Sequence, residues 1–295
     1  MEQDWQDAVL QKLDAYHTAG KQDLGTDVTY LPAEHYLSKE RLELEQRHVF
    51  RKFPILIGFS VQVKNPGDFI THDLTGVPIL VTRTQNGELK AFLNSCRHRG
   101  CKVVDDACGS RKSTLMCKFH GWSYDLDGKL RGVPSRKMFP NVDLDNRGLI
   151  PVPVIEVAGI IFARMAPGPD IPPDFLGPIA DQLLDLELDE HVIYESSTRP
   201  GEFNWKMMVD ANLETYHVPV LHKNTAGVVF DTPMMYDRFG IYGRVLLPCN
   251  EISRGKVLGD PPEVLQSTSI FYSLFPNCGV YFLDEFVHVI STFPV

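Results

Sequence analysis

Two short stretches of the 295-residue chain set a cysteine beside a histidine. The first reads Cys96-Arg-His98-Arg-Gly100 and the second Cys117-Lys-Phe-His120-Gly121-Trp122, so the pattern is C-x-H, eighteen residues, then C-x-x-H. Two thiolates and two imidazoles suffice for one tetrahedral zinc ion, and a zinc-stabilised interaction module is one reading. The spacing favours another. Zinc modules usually carry their ligands as C-x2-4-C and H-x3-5-H pairs, whereas each stretch here supplies one Cys and one His. That division suits two loops gripping a two-iron cluster, both thiolates on one iron and both imidazoles on the other. Neutral histidines in place of two thiolates raise the reduction potential well above that of an all-cysteine plant-type cluster. Gly100 and Gly121, following each pair, permit the tight backbones such loops need.

A second constellation lies further on. Asn204-Trp205-Lys206 leads into Asp210-Ala-Asn212-Leu-Glu214-Thr-Tyr216-His217-Val-Pro219-Val-Leu-His222. On a helix, Asp210, Glu214 and His217 fall at i, i+4 and i+7 and share one face. His222 sits about 140° round the helix from His217. Pro219, between the two histidines, is expected to break or kink the helix and free His222 to turn back. Two histidines and a carboxylate around open positions form the facial triad of a non-haem Fe(II) oxygenase. Taken alone, a Glu-x-x-His pair is more often a solvated ion pair.

The rest of the chain bounds these readings. Hydrophobic residues make up 43% and charged residues 23%, an ordinary globular mixture with enough apolar material for a normal core. Lys plus Arg number 29 against 38 Asp plus Glu, for a net charge of −9, which argues against a duplex nucleic-acid binder. No apolar run approaches the roughly 18 residues of a membrane span. The N-terminus has no basic region followed by an apolar one, so a cytoplasmic protein is expected. Of six cysteines, four fall between Cys96 and Cys117, which in a reducing compartment points to metal binding rather than disulfides. Cys108, Cys249 and Cys278 are expected to be free, buried thiols.

The elements that must position these residues follow from periodicity and turn chemistry. Trp5, Ala8, Val9, Leu13 and Tyr16 have helical spacing, and a second helix is expected from Ser38 to about Phe50. Strands are expected at Ile55–Val63, Pro78–Thr84 and Leu89–Leu93, with Asn86-Gly87 as a hairpin signal. Asp127-Gly128 marks a second hairpin between Trp122–Leu126 and Lys129–Gly132, and Pro151–Met165 is β-rich. The Pro-rich run from Ala166 to Pro173 is a boundary. Beyond it a helix is expected at Phe175–Leu188, a strand at His191–Ser196 and a helix from Phe203 to about His217. Strands near Ile241–Leu247, Ser269–Phe275 and Gly279–Phe293 complete an α+β region. The expected domains are therefore N-terminal helices over 1–50 packing on the second domain, an all-β domain over 51–166, and an α+β domain over 174–295.

The cysteine–histidine pattern closely resembles the Rieske [2Fe–2S] domain, with Cys96 and Cys117 matching the ligands of one iron and His98 and His120 those of the other. Respiratory Rieske proteins add a disulfide between the two loops. Phe119 stands where its second cysteine would be, so Cys101 has no mate and the resemblance is to the oxygenase branch. Together with the second motif, 97 residues after His120, it extends over most of the chain and is to the α subunit of Rieske non-haem iron oxygenases, or ring-hydroxylating oxygenases. That resemblance implies a helix-grip-like catalytic domain with an antiparallel sheet, holding a mononuclear Fe(II) through His217 and His222. It implies that Glu214 bridges to the cluster histidine of a neighbouring subunit, the role that His120 matches. Asp210 and Tyr216 match positions expected to support the ligands. Many aromatic-dihydroxylating members have Asp where Glu214 stands; Glu occurs in other branches, including some acting on quaternary amines. The implied activity is oxygen insertion from O2 into a small organic substrate by dihydroxylation, hydroxylation or demethylation, in an apolar pocket drawn from Val218, Val220, Leu221, Val228, Val229 and Phe230. Trp205 is expected in the core. Implied partners are a ferredoxin and/or an NAD(P)H-dependent reductase, two further copies in a homotrimer, and a β subunit in some members. The alternative is a Rieske-type electron carrier without oxygenase activity. The family's third iron ligand is an aspartate near the start of a late helix. Asp231, Asp237, Asp260 and Asp284 lie downstream without a matching context, Asp284 being expected at a turn. The sequence is therefore expected to be C-terminally truncated and one ligand short of a working site.

Overall fold

The computed structural model describes residues 5–19, 27–231, 234–250, 264–283 and 286–294. Contacts divide the chain into two compact units, one of Glu40–Pro200 with Phe293–Val295 and one of Met1–Lys39 with Gly201–Thr292. Among the described residues no helix is long and apolar enough to cross a membrane.

The N-terminal periodicity produces α1 (Trp5–Ala19), which buries Val9 and Leu13. The helix expected after Ser38 forms as α3 (Lys39–Glu45) and a π-helical turn at Gln46–Phe50, and a one-turn α2 (Glu34–Leu37) precedes it. Ser38 thus closes α2 and lies just before α3.

The unit from Glu40 to Pro200 is built on strands β1 (Ile55–Phe59), β2 (Asp68–His72), β3 (Ile79–Arg83), β4 (Leu89–Leu93), β5 (Cys108–Ser110), β6 (Thr114–Met116), β7 (Ser123–Asp125), β8 (Leu130–Gly132), β9 (Pro151–Val152), β10 (Val154–Val157) and β11 (Ile160–Ala163). They form antiparallel sheets ordered β5-β2-β3-β4-β9, β1-β11-β10 and β6-β7-β8. Both turn signals yield hairpins, β3 pairing with β4 and β7 with β8. Their core holds Phe69, Leu80, Phe92, Leu115, Trp122, Tyr124 and Leu126, and it includes Cys96 and Cys117.

This unit reaches past the Pro-rich boundary. The helix expected at Phe175–Leu188 shortens to α4 (Ile179–Leu184). Phe175 packs edge-on against Phe162 of β11 at 5.0 Å between ring centres, and Leu188 comes close to Gly159 in the β10–β11 turn. Residues 174–200 thus lie in the same compact unit as these strands. The strand expected at His191–Ser196 does not form. Val192 and Tyr194 are exposed, and a lone extended run has no ladder partner for its backbone groups.

In the other unit, α5 (Trp205–Asn212) is followed by α6 (Val218–Leu221) and α7 (Ala226–Val229). The sheet contains β12 (Met235–Phe239), β13 (Tyr242–Pro248), β14 (Thr268–Leu274), β15 (Cys278–Leu283) and β16 (Phe286–Ser291), antiparallel in sequence order. A one-turn α8 (Val264–Ser267) leads into β14. Trp205 is buried as expected. Lys12 of α1 holds Asp237 of β12 at 2.9 Å, and Arg244 of β13 reaches the same carboxylate at 2.8 Å.

Candidate functional site

The first constellation rests on two tight loops. In the loop of Cys96, its N–H donates to the Cys101 carbonyl at 2.7 Å and its carbonyl accepts from Gly100 N–H at 2.8 Å. In the other, Cys117 N–H donates to Trp122 O at 2.9 Å and Cys117 O accepts from Gly121 N–H at 3.0 Å. Both closures need left-handed backbone, φ +79° at Gly100 and +71° at Gly121, which glycine adopts without the Cβ clash.

The loops present two pairs of donors. Cys96 and Cys117 are both buried in one core cluster. The His98 and His120 rings meet edge-on at 4.6 Å, with His120 exposed. An inner sulfur pair and an outer nitrogen pair are what a two-iron cluster with one iron on each pair requires, so the residues present fit that group. Burial pushes the Cys117 thiol up, with the Cys96 thiol adding to it; loading the site would release protons. Burial, then His120 and Arg99, push the His98 imidazole down, favouring its neutral, ligating form.

Three aromatic residues that the spacing did not single out complete the site. Trp122 stacks on His98 at 4.9 Å and 8° between planes, and Phe139 meets His98 edge-on at 5.9 Å. Tyr124 Oη lies 3.3 Å from Cys96 Sγ and accepts from Arg97 N–H at 3.0 Å. Burial pushes this phenol up, with Cys96 adding to it, so it stays a neutral O–H donor. For two of them the signal was present: Trp122, Tyr124 and Leu126 alternate through β7 and its two flanking residues, and all three are buried.

The second constellation takes a different form from the helix expected. Asn204 caps α5 by accepting from Lys206 N–H at 3.1 Å, and the helix stops at Asn212. Asp210 thus stands on a helix that Glu214 and His217 have already left. Pro219 opens α6 instead of kinking a longer helix, because a first-turn proline has no N–H to lose. In a continuous helix its ring would collide with the Thr215 carbonyl, which here accepts from Val218 N–H at 3.0 Å. His217 and His222 flank this single turn, with ring centres 5.3 Å apart. A Glu214 carboxylate oxygen holds His217 Nδ1, and the other accepts from His217 N–H at 3.3 Å. Burial opposes ionisation of Glu214, but the bond to His217 outweighs it and holds the carboxyl below its ordinary value. With Nδ1 engaged, His217 has Nε2 left for a metal, the usual division of labour in a carboxylate–histidine–metal unit.

Several expected supports stand elsewhere. Tyr216 is 92% exposed and points to solvent. Asp210 accepts from Tyr36 Oη at 2.7 Å, fastening α2 to α5. Val220, Leu221, Val228 and Val229 are exposed, while Val218 is buried. Asp237 is spent on Lys12 and Arg244. Asp260 and Asp284 lie outside the described residues. Among those described, no three His, Cys, Asp or Glu side chains converge on one point. Cys278 is buried as expected, but Cys108, on edge strand β5, is exposed.

Residues 54–146 match the family model of the Rieske [2Fe-2S] domain, and residues 186–295 match that of the ring hydroxylating alpha subunit catalytic domain. The chain carries the two domains of a Rieske oxygenase α subunit. The glycine betaine monooxygenase oxygenase subunit of Chromohalobacter salexigens is 32% identical over 192 residues, 65% of this chain and 43% of that protein. The carnitine monooxygenase oxygenase subunit of Escherichia coli is 30% identical over 211 residues, 71% and 55% of the two chains. The chain thus spans about half the length of the curated relatives it matches. A quaternary ammonium Rieske monooxygenase structure superposes with a TM-score of 0.79 at 23% identity, over 96% of this chain and 75% of that one. The Rieske match replaces the zinc reading, and the catalytic-domain match sets aside a pure electron carrier.

Proposed function

We propose that this chain is the oxygenase component of a Rieske-type mono- or dioxygenase, inserting oxygen from O2 into a small organic substrate. The observation that carries this reading is the convergence of His217 and His222 at the two ends of α6, with Glu214 on His217 Nδ1, downstream of a Rieske site. The roles follow from placement. Cys96 and Cys117 would hold one iron of the cluster, His98 and His120 the other, and His217 and His222 would hold the mononuclear iron. When bound, the cluster supplies single electrons and the mononuclear iron the place where O2 is reduced.

The chain's own residues do the rest. Tyr124 donates toward Cys96 Sγ, Trp122 and Phe139 fix the His98 ring, and His120 is left at the surface. Glu214 orients His217 and, being ionised and half-exposed, is placed to accept a hydrogen bond from His120 of a neighbouring copy. Electron entry through such a contact requires a head-to-tail ring, and a homotrimer is the expected assembly. A ferredoxin and/or an NAD(P)H-dependent reductase supplies the electrons. Quaternary ammonium compounds head the list of substrates, because the curated relatives quoted act on glycine betaine and carnitine and Glu214 takes the place of the Asp usual in aromatic dihydroxylation.

The test is anaerobic Fe(II) titration of the full chain after cluster assembly. A third iron beyond the two of the cluster, lost in His217→Ala while the visible spectrum stays unchanged, is the expected result. Failure of the wild type to take up that iron would overturn the reading. A product screen with a generic reductase, across methylated amines and aromatic acids, then identifies the substrate.

A further inference from the structure

A narrow cleft lies between α5 and strands β14 to β16, within a single unit. Val209, Phe271 and Ile290 form its apolar walls, and Asn212, Ser273 and Asn277 give it polar groups. Two of these amides are set in a particular way. Asn277 is 3% exposed; its Nδ2 donates to Thr292 O at 3.0 Å, while its Oδ1 is buried with no hydrogen-bond partner. Asn212, which also lines the cleft, accepts at Oδ1 from Tyr281 Oη at 2.8 Å, a bond that does not use its amide N–H donors. Asn212 stands two residues before Glu214, so the cleft adjoins the turn that bears the mononuclear iron ligands.

One recess therefore offers an unused donor and an unused acceptor. An unmet buried acceptor costs about 1–3 kcal/mol, which a donor entering the cleft would relieve. The floor has room for one water-sized group. None of the side chains that line the cleft is charged, so an ammonium or carboxylate placed there would be desolvated without compensation. A hydroxyl is the organic group that is water-sized, neutral, and both donor and acceptor.

We propose that this cleft is the polar end of the substrate site and selects a substrate by a hydroxyl group, which accepts from Asn212 Nδ2–H and donates to Asn277 Oδ1. Tyr281 is a positioning residue, turning the Asn212 amide so that its donors face the recess. The role given to the cleft rests on the oxygenase reading above, but its binding test does not use turnover or iron uptake.

The probes are two pairs that differ only in a hydroxyl exchanged for a methyl: benzyl alcohol against ethylbenzene, and choline against propyltrimethylammonium. Calorimetric titration of the full chain measures the ratio of dissociation constants within each pair. The wild type is expected to prefer the hydroxyl member of at least one pair by about tenfold. That preference falls toward unity in Asn212→Ala and Asn277→Ala. Tyr281→Phe, which keeps the ring and the fold, is expected to cut it as well. General destabilisation weakens both members of a pair alike and leaves their ratio untouched. Equal affinity within both pairs, a preference surviving in Tyr281→Phe and Asn212→Ala, or binding of neither member, would overturn the inference. Each of these outcomes is separable from failure of iron uptake, which addresses the oxygenase reading alone.

Discussion

At the scale of single residues, the tuning groups are the ones whose contacts are chemical as well as steric. Tyr124 reaches Cys96 Sγ at 3.3 Å, and a hydrogen bond to a cluster sulfur stabilises the more negative, reduced state. Tyr124→Phe is therefore expected to lower the cluster potential by on the order of tens of millivolts. Protein-film voltammetry reads this directly, and an unchanged potential would remove the role. His72 makes a different prediction. Its ring packs on Phe293 at 5.0 Å, its Nε2 is buried without a partner, and burial pushes it down to about 4, with Asp73 opposing weakly. The folded state thus binds fewer protons than the unfolded chain between the ordinary histidine value and pH 4. Stability contributed by neutral His72 is complete above about pH 6.5 and drains away as pH falls through that window, by about 3 kcal/mol in all. Urea unfolding at several pH values tests this: His72→Leu is expected to flatten the slope between pH 6.5 and 4.

At the scale of elements, the loops and short turns carry more of the function than the regular structure does. Gly121 sits at φ +71°, and a Cβ there would approach Pro134 Cγ to 3.1 Å. Gly121→Ala is expected to cost about 1–2 kcal/mol from the left-handed backbone, and more if Pro134 cannot yield. Denaturant midpoints and iron per chain measure the two consequences. The same scale shows what could be read in advance. The Cys–His spacing named four donors because a cluster loop is local in sequence, the members of each pair being two or three residues apart. The hairpins were legible from Asn-Gly and Asp-Gly. The helix through His217 was not, because the pattern Asp210, Glu214, His217 fits a helical face while Pro219 and the Asn212 terminus decide otherwise. Residues 191–196 have strand-like composition but no partner, and pairing is a property of the fold, not of the segment. Asn212, Tyr281 and Asn277 were invisible for the same reason: they meet only after β15 and α5 have found each other.

At the scale of the whole molecule, the two centres fall in two compact units. Loading one is expected to leave the other intact. Cys96→Ser should abolish the visible absorption of the cluster while leaving uptake of Fe(II) at His217 and His222 unaltered, and His217→Ala should do the reverse. Iron analysis together with absorption spectra of the two variants checks this, and joint loss in either one would show that the units depend on each other for their metals.

The single turn between His217 and His222 has one more consequence. Four residues of helix, opened by a proline and exposed at Val220 and Leu221, are far below the length at which a helix persists unaided. A metal ion joining both flanking imidazoles would act as a clasp across that turn, turning binding energy into local order. Amide exchange over residues 214–222 should accordingly slow when Fe(II) is added, so that occupancy of the site can be followed as protection of its own backbone, without a substrate.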